Sequence, residues 1–180
     1  MVFPPSLVRA SRRMAFLSAA AVVLVPLSTV LLFVVPDFVK KVGGDISITA
    51  HYGHLLGSAV PLPDRLIALG FAMIPTAIAT WGLIALVRLF NGFRSADAFS
   101  HDTLRAFCNV AAALFWNVIA TMATEPAITF FLTRAQIHKS VSLYLGTDDV
   151  ELLFLAGVAY VIARVMAEAR AVAEENAKFV

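Results

Sequence analysis

Four apolar stretches divide the chain, and their lengths set the first expectation. Ala15–Val35, Leu66–Val87 and Ala106–Ala123 each come close to the roughly 20 residues that a helix needs to cross a hydrocarbon core about 30 Å thick. Leu152–Ala163 is shorter, but Arg164 behind it has a stem long enough to snorkel, which extends this span to about Met166. The pattern predicts an all-α integral membrane protein, a single membrane domain over residues 1–180 with four transmembrane helices at about 14–35, 66–88, 103–125 and 150–176. Polar residues fill the rest, as outer loops at 37–65 and 133–149 and a joint at 88–105.

Breakers and caps refine these limits. Pro26 and Pro75 fall inside the first two helices, where each removes a backbone hydrogen bond and kinks the rod. Pro126 restricts Glu125 before it, so the third helix is expected to end or bend there, with Ala127–Thr133 at an angle or along the interface. Asn91 and Gly92 read as the end of helix two, Ser100 as a cap for helix three, and Asp148, Asp149 and Glu151 as the outer start of helix four. A different period appears in the outer loops. Ile46, Ile48 and Ala50 alternate with polar residues, as do Val141, Leu143 and Leu145, and the two segments are expected to pair into a small two-stranded extracytoplasmic β element.

Composition agrees with the pattern. The chain is 60% hydrophobic and 14% charged, with a mean hydropathy of +0.84, well above the roughly 45 to 50% apolar share of soluble domains. A net charge of +2, spread along the chain, leaves no basic face for direct nucleic-acid binding. Cys108 stands alone, so no disulfide forms within the chain, and a lone buried thiol reads as inert core.

The cations decide orientation. Arg9, Arg12, Arg13, Arg88, Arg94, Arg105, Arg164, Arg170 and Lys178 fall on one predicted side; Lys40, Lys41, Arg65, Arg134 and Lys139 fall on the other. The richer side is expected to face the cytoplasm, with both termini there, in a bacterial inner membrane. The first apolar run exceeds the usual signal-peptide core and no small-x-small cleavage site follows it, so it reads as a retained helix.

With four helices in place, the joint SADAFSHDTLRAF and the terminal RAVAEENAKFV resemble a bacterial membrane family known as domain of unknown function 2975. In that family a cytoplasmic Phe-Ser segment precedes helix three and a Glu-Glu-Asn element follows helix four. Phe99 and Ser100, then Glu174, Glu175 and Asn176, stand in those places. Members usually carry a glycine shortly before the Phe-Ser pair, whereas Gly92 lies farther upstream. Some members are encoded beside small helix-turn-helix regulators, so the resemblance implies a membrane-resident regulatory or partner-binding role.

Among chemistry-bearing patterns, Asn109, Asn117, Thr121 and Glu125 fall with Ala113 at successive fours along helix three. The row drifts about 40° per step and makes a winding polar stripe about 24 Å long. It either lines a wet path or ties helices together, with Glu125 at the outer interface. His51 and His54 have a spacing compatible with a metal, with Asp45 or Asp64 as further ligands, but loop histidines are usually solvated and no metal is expected. Asp97, His101 and Asp102 suggest proton transfer, and more simply charge at the positive end of helix three.

Val161, Val165, Ala169 and Val172 form an apolar row on the last helix. It would receive a partner helix, a second copy of the protein or the joint of the same molecule. No phosphate loop, nucleophile elbow or His-Glu-x-x-His pair occurs, so no catalytic residue and no cofactor is expected. The functional expectation is a regulatory or accessory membrane protein that binds a partner through Arg94, Asp97, Arg170, Glu174 and Glu175. The alternative is a small transporter or channel using the stripe of helix three.

Overall fold

The computed structural model describes residues 5–35, 60–94, 100–134 and 146–176. Four helices account for nearly all of them: α1 (Pro5–Val34), α2 (Leu62–Arg94), α3 (His101–Thr133) and α4 (Thr147–Asn176). All four are long and apolar enough to cross a bilayer, the architecture of a multi-pass membrane protein. Among the described residues there is no strand, and both segments expected to pair as a β element, at 46–50 and 141–145, lie outside them.

Packing follows chain order: α1 rests on α2, α2 most extensively on α3, and α3 on α4. At one end Leu32 and Phe33 of α1 meet Ala68 and Ala72 of α2 and Ile128 and Leu132 of α3 in an apolar cluster. At the other, Arg12 and Arg13 of α1 lie beside Val87 and Asn91 of α2. The eleven residues from 135 to 145 reach at most about 40 Å when extended. That is less than the roughly 50 Å length of α3, so α4 turns back along it.

The distribution of side chains is inverted relative to a soluble bundle. The buried set is rich in Ala15, Ala68, Ala72, Ala85, Ala106, Ala111, Ala113 and the threonines at 29, 76, 103, 124, 129 and 133, whereas Phe16, Trp81, Phe115, Trp116, Phe154 and Tyr160 are exposed. This is what lipid as solvent dictates: no hydrophobic force separates leucine from acyl chains, so helices associate where small residues let backbones close in. The hydroxyls of Thr29, Thr76, Thr124, Thr129 and Thr133 cost little because each bends back to a carbonyl one turn earlier, as Thr76 does to Ala72 at 2.8 Å and Thr133 to Thr129 at 2.7 Å. Cys108 is exposed rather than part of the core.

The helices run longer than the apolar pattern predicted. α1 begins at Pro5 and takes in all three N-terminal arginines; α2 passes Asn91 and Gly92 and continues to Arg94. α3 runs on through Pro126 to Thr133 rather than ending there. A proline inside a packed membrane helix is tolerated where neighbouring helices and local adjustment satisfy the carbonyl it leaves without a donor; just after it, Thr129 bends back to the Glu125 carbonyl at 2.9 Å. Ser100 caps α3 as expected: its Oγ accepts from the Thr103 amide at 3.2 Å, and Asp102 lies in the first turn. At α4, Asp149 Oδ2 accepts the Gly146 amide at 3.0 Å, the backward half of a capping box.

Candidate functional site

Three helices converge on the middle of the polar stripe. Asn117 Nδ2 donates to the carbonyl of Pro75 at 2.9 Å, crossing from α3 to α2 at the proline. Thr76, next to that proline, lies 3.4 Å from Thr29 of α1, hydroxyl to hydroxyl. Thr121 donates to the Asn117 carbonyl at 2.9 Å. These four side chains line a cleft of about 200 Å³ whose other walls include Val25, Phe33 and Ile128. The space is enough for a few waters at about 30 Å³ each. The asparagine thus spends its strongest donor on holding two helices in register.

The stripe is not continuous. Between Asn117 and Asn109 stands Ala113, and a Cβ placed on Gly82 of α2 would lie only 2.7 Å from the Ala113 Cβ. At this level only the Ala113 methyl stands between the two helices. Asn109 lies beyond the pinch, in a separate cavity. Glu125 lies at the other end of the row and is 2% exposed, enclosed in the helix packing.

The second cavity, about 610 Å³, opens where α2 ends and α3 begins. Arg88 and Asn91 line it from α2, and Arg105 and Asn109 from α3, with Ser100 and Asp102 at the start of α3. One wall is fixed by close approach: a Cβ on Gly92 would collide with the Thr103 hydroxyl, itself 2.8 Å from Ser100 Oγ. Asn91 also borders a neighbouring groove of about 820 Å³ between α1 and α2, which carries Arg12 and Arg13. Cations from three helices therefore gather at one end of the molecule.

Other expected positions are distributed differently. The row Val161, Val165 and Val172 is exposed along α4. Arg170 lies on the same helix, and Glu174 and Glu175 fall within its last turn. Arg94 is the last residue of α2, and Asp97 lies outside the described residues, as do His51 and His54. Among the described residues no group of three or more histidine, cysteine or acidic side chains is placed to hold a metal.

The cavity at the α2–α3 turn was not singled out from the sequence. Its signal was present, since Arg88 and Asn91 are three apart and Arg105 and Asn109 four apart, so each pair shares one helix face. Gly82, where α2 closes on Ala113, carried no such signal, and Gly70 on the same helix has only open space beside it.

A family model described as protein of unknown function (DUF2975) matches residues 17–180. No curated protein and no solved structure matches the chain.

Proposed function

The chain belongs to the DUF2975 family of proteins of unknown function, and from that premise we propose a membrane-resident accessory or regulatory subunit, without catalytic activity of its own, that docks a cytoplasmic protein at its arginine-bearing end. The observation that carries this reading is the far end of α4. A span of about 20 residues beginning at Asp149 is used up near Glu168. The helix nevertheless continues to Asn176, with Val172 exposed beyond that point and Val165 exposed one turn before it. Val161 and Val165 lie within the span, so what reaches the lipid boundary is Val172 with Arg170 beside it, an edge that a partner helix would cover as the helix runs on to Asn176. The arginine excess at this end supports a cytoplasmic placement of it and of both termini.

Transport is the competing reading of the stripe. It requires a connected polar route, whereas the Gly82–Ala113 contact separates the two cavities and Asn117 is engaged with Pro75. Both observations favour the accessory reading. Photoreactive groups at Arg94, Asp97 and Arg170 in native membranes test it. The expected product is an adduct with a second protein. Adducts only at multiples of 19.4 kDa would assign the surface to copies of this chain, and no adduct at any of the three positions would overturn the proposal.

A further inference from the structure

The cavity at the α2–α3 turn has a chemistry of its own. Seven of its nine described lining residues carry polar side chains, and two of these are guanidiniums from different helices, Arg88 and Arg105. Arg88 directly follows the apolar run that ends at Val87, and Arg105 directly precedes the one that starts at Ala106. Both therefore emerge at the depth where hydrocarbon gives way to headgroups, the level of the lipid phosphates. Asn109 stands four residues after Arg105 and adds an amide donor. A guanidinium fork matches two phosphate oxygens at once, and two forks with this amide make a donor set suited to a phosphate group. Among the described lining residues Asp102 is the one acid against two arginines.

The site is also braced. Gly92 permits α2 to close on Thr103, and the Ser100 cap holds the first turn of α3, so the two helix ends that carry the arginines cannot splay freely. Its volume of about 610 Å³ accommodates a glycerophosphate headgroup. We infer that this cavity binds the phosphate of an anionic phospholipid from the leaflet at the arginine-bearing end. The inference rests on the membrane-spanning architecture and is independent of partner docking. The same donor set would accept a soluble phosphate, and depth in the bilayer is what favours the lipid.

Native mass spectrometry of the full chain in neutral detergent tests this, with phosphatidylglycerol and phosphatidylcholine of identical acyl chains as probes. The wild-type protein should bind phosphatidylglycerol about tenfold more tightly or better. The R88Q/R105Q variant should lose that preference to within about twofold, while R134Q, at the other end, keeps it. Asn109→Asp removes no arginine but places a negative charge in the cavity, and it should weaken phosphatidylglycerol binding while leaving phosphatidylcholine unchanged. Equal binding of the two lipids by the wild type, or an undiminished preference in both the double variant and N109D, would overturn the inference. Displacement of the lipid by millimolar ammonium phosphate or glycerol 1-phosphate would reassign the site to a soluble ligand and overturn the lipid assignment.

Discussion

Gly82 of α2 and Ala113 of α3 meet so closely that a methyl group on the glycine would come within 2.7 Å of the alanine Cβ. The contact sits at the level between a small cleft around Asn117 and a larger polar cavity around Asn109. It therefore both sets the spacing of the most extensively packed helix pair and divides the polar stripe. Gly82→Val should force the helices apart and cost about 1 to 3 kcal/mol, the usual penalty of overpacking. Gly70→Ala, which adds a methyl into open space, should be neutral or mildly stabilising. Thermal unfolding of the two variants in the same detergent checks the contrast.

Asn117→Leu removes the bridge to the Pro75 carbonyl. Interhelical hydrogen bonds inside membranes are worth about 0.6 kcal/mol on average and rarely more than about 1.7, so a loss in that range is expected. If the residue serves packing alone, ion and solute flux across proteoliposomes will be the same with wild type, Asn117→Leu and Glu125→Gln. A variant-dependent flux would revive the transport reading.

Gly92 and Thr103 should behave as a coupled pair. Gly92→Ala drives a methyl into the Thr103 side chain, while Thr103→Ala clears that space but gives up its hydroxyl contact with Ser100. The double variant should therefore be more stable than the sum of the two single losses predicts, by about 0.5 kcal/mol or more. Additive losses in a double-mutant cycle would show that the close approach carries no energy.

Ser100→Ala tests the cap of α3. Losing the acceptor for the Thr103 amide should cost about 1 kcal/mol. Hydrogen exchange should quicken in the first turn of α3, with little change near Asn117.

The four spans and the Ser100 cap were legible in the sequence because they depend on local rules, namely run length and a hydroxyl placed before a helix. Family membership was legible too, from Phe99-Ser100 and the Glu174-Glu175-Asn176 element. What escaped was set by neighbours. Nothing local distinguishes Gly82 from Gly70, since only the position of α3 decides which glycine is a point of contact. The continuation of α3 through Pro126 likewise depends on packing around it, although proline statistics favour an end or a bend. The spacing of the polar stripe was legible, but its division at Ala113 required knowing what lies opposite.

Orientation underlies both the docking and the phospholipid proposals, and one measurement addresses it directly. In a Cys108→Ala background, single cysteines at Leu62 and Val172 are treated with a membrane-impermeant maleimide in intact cells and again after the inner membrane is opened. The Leu62 position should react in intact cells and the Val172 position only once the membrane is opened. Labelling of Val172 from outside, or of both positions alike in intact cells, would contradict this orientation.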